Sequence, residues 1–230
     1  MNMISLLPLM FAQVDQDRGA QLFDAIRQGD AAAVRTLVAA DPQLANARNK
    51  DGATPALWAA YTRHPELAEL VLSGRQPDFW EACALGRQVR AAELVAHDPK
   101  LTDGYSGDGF TALGLAVFFG HEEMARTLVD AGADVNRPSR NAIHVAPLHS
   151  AVESGNAALL DLLLSHGARP DPVEFLEATP LHSAAARGNR DMVQKLLAAG
   201  ADPHRKTKDG KTPAALARQY GHAALAAELE

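Results

Sequence analysis

His149, in the run Ala146-Pro147-Leu148-His149, and His182, in Thr179-Pro180-Leu181-His182, are the first residues whose type and spacing suggest chemistry. Paired imidazoles are a frequent start for a zinc site, in which each ligand lies about 2 Å from the ion. Here the two occupy the same position in successive copies of one pattern, so they stand on neighbouring packed helices about 8–10 Å apart. That is too far to share one ion, and no metal is expected. Cys83, the only cysteine, has the type of a nucleophile, but equivalent places hold Ala60, Val117, Val152 and Ala185. A reactive thiolate needs an electropositive, partly open setting, so a buried small side chain is expected instead. No Ser-His-Asp order, phosphate-cradling glycine loop or pair of catalytic carboxylates is present. The expectation is a protein that is not an enzyme and carries no cofactor.

The elements that would position these residues follow from the stretch 179–213, which opens and closes on Thr-Pro one period apart. Thr179 is suited to cap a helix whose first turn accepts Pro180. Leu181, Ala184 and Ala185 give that helix a small apolar face, and Gly188 stops it by adopting a left-handed conformation. So short a helix is marginal alone and must be held by packing. Its partner begins at Asn189, carries Met192, Val193, Leu196 and Leu197 on one face, and ends at Gly200 before a polar connection closing on Asp209-Gly210.

Helix, turn, helix and a turn-rich finger in 33 residues resemble an ankyrin repeat. The residues that carry the likeness are Asp209-Gly210, Thr179-Pro180-Leu181-His182, Ala184-Ala185, Gly188-Asn189, Leu196-Leu197 and Gly200-Ala201-Asp202. The resemblance implies an all-α solenoid of stacked helix-turn-helix units with hairpin-like finger loops. It implies that His149 and His182 hydrogen-bond the connection beside them. His64, His121 and His222, which follow the helix-ending position, then read as repeat residues too.

Helix-ending positions recur at Gly29, Arg63, Gly86, Gly120, Gly155, Gly188 and Gly221, which marks seven units, two of them atypical. The repeats are expected at about 20–49, 50–77, 78–106, 107–138, 139–173, 174–206 and 207–230. Between Leu72 and Phe79 a short Ser73-Gly74-Arg75-Gln76-Pro77 run replaces a finger, so the third unit is expected to leave a notch in the finger row. Residues 22–72 align with 79–129 at a constant offset of 57, including an Asp-Pro-x-Leu found at Asp41 and Asp98 only, which reads as a duplicated two-repeat block. The end units, polar at Asp15, Asp17, Arg18, Gln21, Asp24 and Arg27 and again at Arg218, Gln219, His222, Glu228 and Glu230, read as caps.

Twenty-two basic against 28 acidic residues, a formal charge of −6, exclude a general nucleic-acid binder with a broad basic face. Residues 3–12 are apolar but too short to span a bilayer. They lack the basic start of a signal peptide, so a cytoplasmic protein is expected, with a periplasmic or secreted one as the alternative if residues 1–12 act as a leader. Residues 1–18 form that leader or extension and 19–230 the repeat array, expected to be a monomer.

What varies between units is the set that the resemblance places on the concave side: residues flanking the finger Asp-Gly, and the two before the helix-ending glycine. These are Tyr61, Thr62, Phe110, Phe118 and Phe119 in the early half, then Glu153, Ser154, Ala186, Arg187, Lys208, Lys211, Gln219 and Tyr220 in the late half. The early set is aromatic and the late set charged. Aromatics in a rigid groove suit a binding hot spot. The expected function is a non-catalytic protein-interaction module or scaffold, centred on Tyr61, Phe110, Phe118 and Phe119, with the charges steering association. Phe118 and Phe119 packing between units is the bland alternative, and Trp58 and Trp80 are expected in the core. Two rival functions stand beside it: a small-molecule or enzymatic site in the notch, for which a closed apolar pocket is required, and an exported envelope interaction protein.

Overall fold

The computed structural model describes residues 7–230, with side chains from residue 18 onward. The readings of residues 3–12 as a leader or an edge cover rest on residues 1–6 and on side chains outside what is described, and so do the cap roles of Asp15 and Asp17, of which only the helical backbone is described. Among the described residues the regular structure is helical, in seven successive pairs. The pairs are α1 Leu7–Gln28 with α2 Ala31–Ala40, α3 Pro55–Tyr61 with α4 Pro65–Val71, and α5 Phe79–Ala84 with α6 Gln88–His97. They continue with α7 Ala112–Phe118 and α8 Glu122–Asp130, α9 Pro147–Ser154 and α10 Ala157–Ser165, α11 Pro180–Ala186 and α12 Arg190–Ala198, and α13 Pro213–Gln219 and α14 Ala223–Glu228.

Local chemistry fixes each pair. Thr54, Thr111 and Thr212 cap their helices by accepting a backbone N–H three residues on, while Asp30, Asn156 and Asn189 cap the second helices. All seven helix-ending positions adopt positive φ, and Arg63 does so at +64° without being glycine. The next unit explains why glycine matters at some of them: the imidazoles of His64, His121 and His222 lie over Gly29, Gly86 and Gly188, where an added Cβ would meet the ring. Gly120 and Gly155, followed one unit later by Asn156 and Asn189, have open space there. The two Asp-Pro segments also share a structure. Asp41 and Asp98 each accept a bond two residues on, from Gln43 at 3.0 Å and Lys100 at 3.1 Å, and start one 3-10 turn apiece.

The fingers are hairpin-like. Each closes with a backbone N–H: Asn49 to Ala53, Ser106 to Phe110, Ser139 to Val145, Glu174 to Ala178 and Thr207 to Lys211, at 2.8–3.1 Å. Successive fingers are then tied together, Arg140 N–H to Gly109, Phe175 to Ile143 and Lys208 to Leu176.

The apolar core falls into two large blocks. Leu22, Ile26, Val34, Leu67 and Val71 fill the first two units, and Phe79 through Leu229 the last five. Between them lie a small cluster of Ala53, Leu57, Ala84 and Leu115 and a buried polar knot. Glu81, with no exposure, accepts from Nη1 and Nη2 of Arg75 at 2.6 Å each, from the Thr54 hydroxyl at 2.6 Å and from the Asp78 N–H at 2.9 Å. Arg75 also donates to the Ala45 carbonyl at 2.9 Å. Burial works to raise the Glu81 pKa, but the bonds from Arg75 and Thr54 outweigh it and hold the carboxyl below its usual range. Arg75, from the run that replaces a finger, thus ties the third unit to the connection of the first.

The finger row itself is not interrupted, which corrects the expected notch. Gly52 of the second finger and Gly107 of the fourth touch backbone to backbone, so that a Cβ on either would collide with the carbonyl of the other. Only glycine permits so close an approach. The third unit contributes no finger, and its neighbours close over it.

Candidate functional site

Closure of the fingers builds one wall of a groove. Tyr61, the last residue of α3, donates its hydroxyl to Asp108 Oδ2 of the fourth finger at 2.9 Å. Around its ring lie Phe119, Phe110 and Phe118, with centroids 5.4, 6.2 and 6.3 Å away, and Phe118 meets Phe119 edge-on at 5.1 Å. Centroid separations of this size are those of favourable aromatic pairs. The four aromatic residues expected together are therefore together, but they are not equivalent. Phe119, Phe110 and Tyr61 pack onto the small cluster of Ala53, Leu57, Ala84 and Leu115, whereas Phe118 stays 44% exposed. Phe119 thus packs between units, and Phe118 faces outward. Thr62 is half-buried, its hydroxyl donating back to the Trp58 carbonyl of its own helix at 2.8 Å. Trp58 and Trp80 are partly buried against the core, Trp58 donating its indole N–H to the Phe23 carbonyl at 3.1 Å.

In front of this cluster is an open groove of about 660 Å³, lined by Trp58, Tyr61, Phe110, Phe118, Ile143 and Val145 among others. It spans the second to sixth units and takes no lining residue from the short connection, where a separate open hollow of about 490 Å³ is lined by Ser73, Gly74 and Arg75 among others.

The charged late set is only loosely connected to the groove. Glu153 lines it, paired to Arg187 at 3.0 Å, while Ser154 bonds the Ala151 carbonyl at 3.0 Å. Lys211 is engaged by Gln219 at 2.7 Å, Lys208 lies over the Phe175 ring at 5.6 Å, and Tyr220 is exposed far along the array.

The reading of the late half as charged missed the fifth and sixth fingers. Their tips are Ile143, Phe175 and Leu176, exposed by 50, 63 and 52%. Ile143-His144 and Leu176-Glu177 stand where other fingers have Asp-Gly, and His144 and Glu177 keep the glycine's positive φ at +57° and +60°. The only sequence signal was the period itself, since the Asp-Gly mark is absent from both.

Histidine roles agree with the repeat rather than with a metal site. His149 Nε2 lies 3.1 Å from the Ala178 carbonyl and His182 Nε2 3.1 Å from the Lys211 carbonyl, each bonding the following connection. Burial pushes the His149 imidazole down to about 4 and lowers His182 as well. Cys83 is fully buried, and burial raises its thiol pKa.

A family model for ankyrin repeats matches in three overlapping copies, over residues 22–139, 79–174 and 148–229. The chain belongs to the ankyrin-repeat family. It is similar to mouse ankyrin repeat and SAM domain-containing protein 6, 39% identical over 151 residues, and to its rat counterpart at 36%. Each match covers 66% of this chain and 14% of the relative. The mouse protein fem-1 homolog A-like is 46% identical over 61 residues, 26% of this chain and 9% of that protein. Ankyrin repeats in general mediate protein–protein interaction. Among the described residues no helix is long and apolar enough to cross a membrane.

Proposed function

We propose that this ankyrin-repeat array is a non-catalytic protein-binding module, and that its partner docks in the groove in front of Tyr61, Phe110 and Phe118. One observation carries the reading: Phe118 of the fourth unit and Ile143 of the fifth finger are both about half exposed and line the same concavity. Exposed large apolar side chains that share a groove mark an interaction site far more than scattered ones do. Phe119 supports Phe118 from behind, so the anchor is held in place before binding, which reduces the ordering cost of association. Lys208, Lys211 and Tyr220 belong to the far rim and serve steering and register, while Arg187 stands at the groove's edge on Glu153.

Matched-bait purification tests this. The full chain and its Phe118→Ala and Ile143→Asp variants, each with an unchanged melting temperature, are used as baits in one extract. A protein retained by the parent and lost from both variants supports the groove. Equal retention by all three removes it.

A further inference from the structure

The groove is apolar, yet its charged lining has a single sign. Asp51, Asp108, Glu153 and Glu174 all line it, and no lysine or arginine does. Asp108 is taken up by Tyr61 and Ser106, and Glu153 by Arg187. Asp51 on the second finger and Glu174 on the sixth are in no ion pair among the described residues. Burial, with Glu153 nearby, raises the Glu174 carboxyl above its usual range, which is the response of a carboxylate that lacks a cation. Three basic side chains of the fingers are engaged elsewhere. Arg48 Nη1 bonds the Gly52 carbonyl at 2.8 Å, Arg140 stacks over the Tyr105 ring at 5.0 Å, and Lys208 lies over Phe175. His149, also in the lining, is neutral above about pH 4. The apolar surface does not stop at the groove, because the sixth finger extends it to Phe175 and Leu176. Its occupant is therefore longer than a small molecule.

Building on the reading above, we propose that the groove takes a peptide segment of a partner protein in which an arginine or lysine adjoins a large apolar anchor. The anchor sits between Phe118 and Ile143, and the cation meets Glu174, beside the Glu153 that Arg187 already holds. Electrostatic complementarity of this kind selects among apolar segments that would otherwise bind alike, and arginine is enriched at such interfaces.

Selection of a displayed random-peptide library on the full chain tests the proposal, followed by anisotropy titrations of the best synthetic peptide and of its Arg/Lys→Gln analogue. Enriched peptides are expected to pair a basic residue with an aromatic residue or leucine. The Gln analogue should bind about tenfold more weakly, Glu174→Lys should reproduce that loss, and Ile143→Asp should abolish binding. Enriched peptides that are acidic or uncharged but still sensitive to Ile143→Asp overturn the cationic occupant and leave the groove standing. Peptides indifferent to both Phe118→Ala and Ile143→Asp, or a selection that recovers none, overturn both. Sedimentation showing self-association that Ile143→Asp removes makes a second copy of this chain the occupant and overturns the proposal as well.

Discussion

The Tyr61 hydroxyl donates to Asp108 Oδ2 at 2.9 Å across 47 residues, joining the inner helix of the second unit to the finger of the fourth. The intervening unit has no finger, so this bond and the Gly52–Gly107 contact together hold the finger row closed. Burial, and then the adjacent Asp108 carboxylate, raise the phenol pKa. The aromatic wall of the groove depends on this closure.

Tyr61→Phe keeps the ring and removes the donor. Asp108, itself buried and then held by Ser106 alone, loses a partner. The expected cost is about 1–3 kcal/mol in denaturant unfolding, the range for an unsatisfied buried group. A Tyr61→Phe, Asp108→Asn cycle should show a coupling of comparable size. Strict additivity would mean that the bond does not join the two units.

Glu81→Gln should be among the most damaging single changes, because it leaves Arg75 half-buried without its counter-charge. Removing one partner of such a pair costs about 3–5 kcal/mol, whereas replacing both by apolar residues is often close to neutral. The Arg75→Met, Glu81→Leu double variant should therefore melt nearer the parent than Glu81→Gln does. If the double variant is the worse of the two, the ion pair and its hydrogen bonds contribute net stability.

These two sites show where reading the sequence stops. The helix pairs were legible because each repeat ends its first helix at one left-handed position, recognisable even where Arg63 replaces glycine. Fingers marked by Asp-Gly were legible for the same local reason. Ile143 and Leu176 were not, because an apolar residue at a finger tip looks like any core residue until its exposure is known. Glu81 was overlooked since its place in the repeat, three residues into the helix, says nothing about a partner six residues back that folds in from a connection. Closure over the third unit left one faint mark, Gly107 in Ser106-Gly107-Asp108-Gly109, where the aligned position of the second finger has Lys50. A second glycine in so short a turn signals close backbone approach.

His149 makes the fold sensitive to acid. Its folded pKa, about 4, lies below the unfolded value of roughly 6.5, so the unfolded chain binds more protons between these limits. Its contribution to stability is complete above about pH 6.5 and is lost as pH falls toward 4, by up to about 3 kcal/mol at 1.36 kcal/mol per pKa unit. His182 acts in the same direction. His149→Gln should flatten the pH dependence of urea unfolding, and an unchanged slope would assign the acid sensitivity elsewhere.

Ala146→Thr should stabilise the protein. His149 Nδ1 is buried without a partner, whereas His182 Nδ1 in the next unit is bonded by the N–H of Thr179 at 3.1 Å and lies 2.9 Å from its hydroxyl. A threonine at 146 supplies that hydroxyl and caps α9, worth about 1 kcal/mol. A lower melting temperature would show that the fifth unit has no room for it.

Gly188→Val and Gly155→Val both place a β-branched residue at positive φ, +68° and +70°. Only Gly188 lies under an imidazole, that of His222. Both should destabilise by a few kcal/mol, and Gly188→Val by at least about 1 kcal/mol more, the usual cost of overpacking. Equal losses would leave the ring contact without energetic weight.

The most direct test of the groove is calorimetric titration of the purified partner into the parent chain and Phe118→Ala, with Phe119→Ala as the control for packing. Phe118→Ala should melt within about 1 kcal/mol of the parent and lose at least about 2 kcal/mol of binding, as a hot-spot anchor does. Phe119→Ala should lose stability first. Unchanged affinity for the Phe118→Ala protein would contradict the account.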